Sequence, residues 1–448
     1  MHIHILGIGG TFMAGLALLA RAHGHQVTGS DAGLYPPMST QLAAAGIDVM
    51  DGYRAAHLQP APDQVVVGNA MKRGNPCVEY MLDAGLAYVS GPQWLAEQVL
   101  LQRHVLAVAG THGKTTTASM LMHILTSAGL APGYLIGGIP EPYGRSAALG
   151  AGEFFVVEAD EYDTAFFDKR SKFVHYRPRT LVLNNLEYDH ADIFPDLASI
   201  KRQFHHVIRI VPGKGRIVHN AADKHLQAVL AQGCWTPTVP FNSDDGWHAQ
   251  ALRADGSVLA IHRGECLLGE LRWQLQGAHN QANALAALAA ASEVGVAPSQ
   301  AIAALADFAG VKRRLELLGR PGGVTVYDDF AHHPTAIAST LAGLRAAADN
   351  GRILAVFEPR SNTMRAGVHT NRLAGSLAAA DHVFVLDQEL DWNVGEVLEP
   401  LHGRLTVATN AAALVRHVAA HAAPGDIIVI MSNGSFEGLH ANLLAALS

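Results

Sequence analysis

The segment Val105-Leu-Ala-Val-Ala-Gly-Thr-His-Gly-Lys-Thr-Thr-Thr117 holds the residues best suited to chemistry. An apolar run ends in glycine, Gly-Lys-Thr follows, and a helical stretch comes next. This arrangement wraps backbone N–H groups and a helix dipole around a polyphosphate. In such a loop Lys114 neutralises the β- and γ-oxygens of ATP and Thr115 offers its hydroxyl to Mg²⁺. The general pattern G-x-x-x-x-G-K-[ST] asks for glycine at position 108, where this chain has Val108, so the loop is the shorter form Gly110-Thr-His-Gly-Lys-Thr-Thr116. Taken alone, Gly-Lys-Thr also arises by chance in loops that bind nothing.

A second polar group supports the phosphate reading. In Phe155-Val-Val-Glu-Ala-Asp-Glu-Tyr-Asp163 an apolar strand ends in acids, and hard oxygen ligands at a strand's C-terminal end suit a magnesium ion beside a nucleotide. Glu158 is the best candidate. Asp160, Glu161 and Asp163 fit either a site or a solvated charge cluster. The strand in Thr180-Leu-Val-Leu-Asn-Asn-Leu-Glu-Tyr-Asp-His190 ends in another polar group that includes His190.

Near the start, Gly7-Ile-Gly-Gly-Thr-Phe-Met13 joins a strand to a helix. Gly9, Gly10 and Thr11 could receive a diphosphate there, and Asp31 ends the next strand where a ribose hydroxyl could bind. An NAD-dependent oxidoreductase is the rival reading, but Phe12 departs from G-x-G-x-x-G. Far along the chain, Arg360 and Arg365 bracket a loop where guanidinium groups could clamp carboxylates. An ordinary surface loop with salt bridges is the alternative.

These groups need elements to hold them. Residues 2–6, 26–29, 64–68 and 86–90 read as strands, and 11–22, 40–45, 77–84 and 92–102 as helices between them, the rhythm of a parallel sheet. A strand from 104, a helix over 115–128, strands at 154–157, 180–183 and 216–219, and helices over 197–210 and 280–293 form a second unit. Residues 233–275 suggest a small antiparallel insertion. After Val311-Lys-Arg-Arg-Leu315 the alternation restarts, with strands at 324–327, 352–357, 382–386 and 426–431 and helices from near 335, 371, 410 and 435. The expected fold is α/β with three domains: a Rossmann-like N-terminal domain over 1–103, a central P-loop ATPase domain over 104–312, and a C-terminal Rossmann-like domain over 313–448.

Composition narrows the function. The 448 residues are 49% hydrophobic and 16% charged, which supplies several cores and argues against disorder. A net charge of −7 argues against nucleic acid as a partner. Cys77, Cys234 and Cys266 make no CxxC pattern, which fits a reducing compartment. The first residues read as a strand rather than a signal peptide, and no apolar stretch is long enough to span a bilayer, so a cytoplasmic location without membrane partners is expected. Most of the 25 histidines are scattered singly, so metal storage is not expected.

Taken in order, Gly7-Ile-Gly-Gly10, Gly110-Thr-His-Gly-Lys-Thr-Thr116, Glu158-Ala-Asp-Glu161, Asp189-His190, His279-Asn-Gln-Ala-Asn283, Arg313-Arg314 and Asp328-Asp-Phe-Ala-His-His-Pro334 resemble the Mur ligase family, whose members add amino acids or peptides to UDP-N-acetylmuramate. The resemblance implies that Thr115 and Glu158 hold one Mg²⁺ and His190 a second. It further implies that Gly110, Thr111, His112, Gly113, Lys114, Thr115 and Thr116, with His279, Asn280, Asn283, Arg314 and Asp329, surround ATP. Lys114, Glu158, His190 and Arg314 would be the catalytic set. The N-terminal domain would bind the UDP-muramyl substrate and the C-terminal domain the peptide.

No covalent enzyme nucleophile is required for such a ligase, and no convincing Ser/His/Asp or Cys/His set is present. Lys201 does not fall in the register of the carbamylated lysine of some members, so carbamylation is not expected. Two branches start from UDP-N-acetylmuramate, one adding L-alanine and one adding the tripeptide L-alanyl-γ-D-glutamyl-meso-diaminopimelate. Gly10-Thr-Phe-Met-Ala-Gly15, Gly29-Ser-Asp-Ala-Gly-Leu-Tyr-Pro-Pro-Met-Ser39 and Phe357-Glu-Pro-Arg-Ser-Asn-Thr-Met-Arg365 look like the tripeptide branch. A binding or regulatory P-loop protein without ligase activity is the remaining alternative.

Overall fold

The computed structural model describes residues 1–348 and 351–448. Three large sheets follow one another along the chain, with a two-stranded hairpin, Asp163–Ala165 and Asp168–Ser171, beside the second. The first is parallel throughout, ordered Asp48–Asp51, Gln26–Asp31, His2–Leu6, Gln64–Val67, Tyr88–Ser90. Its middle strands are almost wholly buried because helices cover both faces, which explains their near-continuous apolar runs. The short strand Asp48–Asp51 is absent from the sequence reading. Its two end residues are exposed aspartates and Val49 and Met50 are half-buried, as an edge strand allows.

The helix Thr11–Ala22 begins directly after the glycine turn and packs towards the central unit. A Cβ at Gly15 would lie 2.3 Å from Leu135 Cδ1, so the absence of a side chain sets how closely these two units approach. Gln41 fastens the same face, its Oε1 accepting from the Ser146 N–H at 2.8 Å. The expected helix over 92–102 is Gly91–Leu95 continued by a π-helical turn, Ala96–Leu100.

The second sheet has ten strands, with His104–Ala109 between Thr180–Leu183 and Phe154–Ala159. The sequence-based insertion at 233–275 is corrected here. Thr238–Phe241 pairs parallel to Arg216–Asn220, and Trp247–Ala251, Val258–Arg263 and Cys266–Arg272 extend the same sheet at its edge, antiparallel to one another. The local alternation was real, but it reports an edge exposed on one face rather than a separate body. Two helices, Lys114–Ser127 and Ala278–Ser292, lie buried together over this sheet. Alanine along the second lets its backbone come close, while Leu285 and Leu288 fill the gaps, each stabilising by about 1.5–3 kcal/mol.

The third sheet runs Glu316–Gly319, Thr325–Asp329, Ile427–Met431, Ile353–Phe357, His382–Leu386, Leu405–Ala408, parallel except for the first pair. The edge strands Glu316–Gly319 and Leu405–Ala408 are four residues each and only partly buried, too short to stand out in the sequence. Among the described residues no helix is long and apolar enough to cross a membrane.

Candidate active site

The strand His104–Ala109 ends at Gly110, and the loop that follows turns into a helix at Lys114. Gly113 has φ +76°, and a Cβ there would fall 2.3 Å from Asn283 Oδ1. Only glycine fits both the left-handed backbone and the space. Lys114 Nζ donates to the Gly110 carbonyl at 2.6 Å and to Glu161 Oε2 at 3.1 Å. Glu161 is 1% exposed, and His190 Nε2 lies 3.2 Å from its other oxygen.

Burial alone would raise the Glu161 carboxyl, but Lys114 and His190 outweigh it and hold it below the ordinary range. Burial would likewise lower both cations, and the carboxylates raise them instead. Lys114, Glu161 and His190 thus form one charged chain under the phosphate loop. The solvated-cluster alternative fails for Glu161. Asp160 and Asp163 are both half-buried, Asp160 bound to the buried Lys172 Nζ at 3.0 Å and Asp163 to Lys169, which is largely exposed. Sequence reading left Glu161 and Asp160 open between a site and a solvated cluster, because polarity just beyond a strand end carries no periodicity to reveal burial.

Thr115 stands where two domains meet. Its hydroxyl donates to Glu158 Oε1 at 3.0 Å and accepts from Arg314 Nη2 at 3.0 Å. Glu158 Oε2 accepts from the Gly137 N–H at 2.7 Å. Arg313 and Leu315 have φ of +61° and +55°. This turn sends Arg313 into the third unit, to Asp328 and the carbonyls of Ser432 and Gly434, and Arg314 back to the loop. Arg314 also lies 4.6 Å over the Phe330 ring. Asp329 accepts from the N–H groups of Leu315 and Ala331, and burial pushes its carboxyl up to about 6 against the pull of Arg314.

The remaining nucleotide candidates sort by distance from the loop. Thr117 donates to Asn283 and accepts from Asn184, which ties the helix Ala278–Ser292 to the loop's helix. Asn280 holds the Gln276 carbonyl at 2.9 Å. His279 meets Ser339 Oγ of the third unit at 2.8 Å. Thr116 is buried in the helix, and Thr111 clasps the backbone of Glu187. The His112 backbone is fixed by both ends of the Asn185 amide, while its ring lies 4.3 Å from that of His333. Burial lowers the His112 pKa, and the neighbouring His333 adds to this.

The expected substrate residues lie apart from this centre. Gly10, Thr11 and Asp31 line a cleft of about 230 Å³ in the N-terminal unit. Gly9 donates its N–H to Asp31 at 2.7 Å, and Gly33 donates to the same carboxylate, so Asp31 closes the glycine loop. Arg360 and Arg365 line a cleft of about 160 Å³ in the third unit and pair with Glu358 and Glu389. Their loop touches the centre through Thr363, whose hydroxyl accepts from the Ala191 N–H next to His190.

A phosphate loop, a carboxylate and an arginine from a second domain, meeting between α/β units, define an ATP-dependent ligase of the Mur ligase family, to which the chain belongs. Three family models match it in order: the Mur ligase catalytic domain over 2–103, the Mur ligase middle domain over 108–291 and the Mur ligase glutamate ligase domain over 313–434. The chain is similar along 100% of its length, at 55% identity, to the UDP-N-acetylmuramate–L-alanyl-γ-D-glutamyl-meso-2,6-diaminoheptandioate ligase of Escherichia coli, covering 98% of that protein. It is 34% identical to the UDP-N-acetylmuramate–L-alanine ligase of Renibacterium salmoninarum over 100% of the chain and 96% of that protein. A crystal structure of a murein peptide ligase from Psychrobacter arcticus superposes with a TM-score of 0.78 at 51% identity, covering 100% of this chain and 98% of that one.

Proposed function

We propose that this protein joins L-alanyl-γ-D-glutamyl-meso-diaminopimelate to UDP-N-acetylmuramate at the expense of ATP, returning wall peptide to synthesis. The observation that carries the acceptor is the gap between 55% identity to a tripeptide-adding relative and 34% to an L-alanine-adding one, each over the full chain. In this reading residues 1–103 hold the UDP-sugar, 104–312 hold ATP and 313–448 hold the peptide.

The chemistry follows from a poor electrophile. A carboxylate resists amines until one of its oxygens becomes a leaving group, which phosphorylation by ATP provides. The lactyl carboxylate attacks the γ-phosphorus and ADP leaves. The peptide amine then attacks the acyl phosphate, and the tetrahedral intermediate collapses to amide and phosphate. Lys114 and Arg314 are placed to offset charge on the transferred phosphoryl group. Glu161 holds the Lys114 ammonium in place.

Thr115 and Glu158 supply hard oxygens that fit Mg²⁺, and His190 with Glu161 and Asp160 makes a second cluster whose ligand atoms lie within 4.8 Å of one another. Magnesium bound there would supply positive charge against the phosphates. The test is phosphate release with UDP-N-acetylmuramate, ATP and a choice of L-alanine, dipeptide or tripeptide. The tripeptide should be preferred; turnover with L-alanine alone would place the protein in the other branch.

A further inference from the structure

The N-terminal cleft contains an electrostatic gap. The first-turn N–H groups of the helix Thr11–Ala22, which no side chain caps, favour an anion, whereas the N–H groups of Gly7, Ile8, Gly9 and Gly10 already bond to Ser30, Asp31 and Gly7; the only charged residue this unit contributes to the cleft lining is Asp31. The one cation among the described lining residues is Lys172, which comes from the central unit. The hairpin Asp163–Ala165 and Asp168–Ser171 delivers it, and the Lys172 N–H is fixed to the Tyr162 carbonyl at 2.9 Å. Thr164, from the same hairpin, lines the cleft as well.

Lys172 is held for a purpose beyond a surface ion pair. Its side chain is 9% exposed, and its Nζ lies 5.7 Å from the ring centre of Phe12, in the first turn of the helix Thr11–Ala22, and 5.5 Å from that of Tyr162. One ammonium proton goes to Asp160 at 3.0 Å. An ammonium has three donors, so two are left for whatever enters the cleft. Asp160 already supplies one anion to this buried cation, and a second anion entering the cleft would take its two remaining protons.

We propose that Lys172 binds the diphosphate of the UDP-sugar substrate, supplying from the central domain the cation that the N-terminal domain lacks. This rests on the ligase reading only for the identity of the sugar nucleotide. Because Asp160 sits beside Glu161, the same lysine links the filled cleft to the charged chain under the phosphate loop.

The experiment compares Lys172→Met and Lys172→Arg with the wild type by calorimetric binding of UDP and of uridine, together with steady-state KM for UDP-N-acetylmuramate and ATP. Lys172→Met should weaken UDP and raise the UDP-N-acetylmuramate KM by about tenfold to a hundredfold, the range for losing a charge-assisted bond. Uridine affinity and the ATP KM should stay unchanged, and Lys172→Arg should recover most of the loss. Thermal unfolding of both variants guards against a folding defect. UDP affinity within twofold of wild type in Lys172→Met would overturn the proposal, as would an equal loss for uridine. A wild type that binds UDP yet ligates no peptide would tell against the function proposed above and leave the Lys172 result to be judged on UDP alone.

Discussion

Arg314 and Thr115 are 199 positions apart in the chain, yet the guanidinium donates to the threonine hydroxyl across 3.0 Å. Thr115 passes its own proton to Glu158. One contact therefore reports both that the loop is formed and that the third domain has docked. Arg314→Ala should lower kcat/KM by about a hundredfold to a thousandfold, the usual cost of losing a donor aimed at developing charge. Arg314→Lys should rescue little, because an ammonium lacks the planar fork and the stacking on Phe330. Steady-state kinetics with a circular dichroism check would decide it; near-normal turnover in the alanine variant would remove Arg314 from the catalytic set.

The loop's second glycine is open to an equally direct test. Gly113→Ala places a methyl group on the Asn283 amide oxygen and strains a backbone at φ +76°. Nucleotide affinity should fall about tenfold or more, read with a fluorescent ATP analogue. A variant that binds ATP normally would mean the loop can shift, and that its closeness to Asn283 is incidental.

Legibility in the sequence followed burial. Strands covered on both faces, such as Thr180–Leu183 and His382–Leu386, show as apolar runs with the right ends, and so do the helices Thr11–Ala22 and Leu197–Ile210. Edge strands do not, because Asp48–Asp51 and Leu405–Ala408 are only four residues long and leave most of their side chains partly exposed. The loop and Glu158 were legible as candidates from residue type and order, and Arg314 only through the family resemblance. Asn184 and Asn185 were not, and Glu161 was left open, since each owes its role to partners brought together by parallel strand crossovers. His190 is a related case. Its φ of +56° turns the ring towards Glu161, and no local pattern encodes that turn.

Acid should destabilise the N-terminal unit through His4. The ring is fully buried, with Nδ1 2.8 Å from Thr28 Oγ1 and Nε2 2.9 Å from Ser30 Oγ. Burial, with His2 and His57 nearby, lowers its pKa from 6.5 to about 4. The unfolded chain therefore binds the proton more readily, so stability is fully present above 6.5 and falls as pH drops towards 4, by about 3 kcal/mol for this one group. His4→Gln should be less stable than wild type at pH 8, and the gap should narrow as pH falls from 6.5 to 4. Urea unfolding across that range measures it. A constant gap would show that His4 does not titrate on unfolding.

Glu161 is best tested together with Lys114, because each is buried on the strength of the other. With Glu161 1% and Lys114 12% exposed, removing Glu161 leaves a buried ammonium without its paired carboxylate, and removing Lys114 leaves a buried carboxylate with His190 alone, a loss of up to about 3–5 kcal/mol for a buried pair. Removing both spares that penalty. Glu161→Gln and Lys114→Met should each lower stability more than half as much as the double variant does, so the single losses sum to well above the measured double loss. His190 sharpens the expectation, since Glu161→Gln also withdraws the carboxylate that raises its pKa. A fully additive cycle would mean that water or movement of the loop satisfies each charge separately, and that the chain from Lys114 through Glu161 to His190 is not an energetic unit.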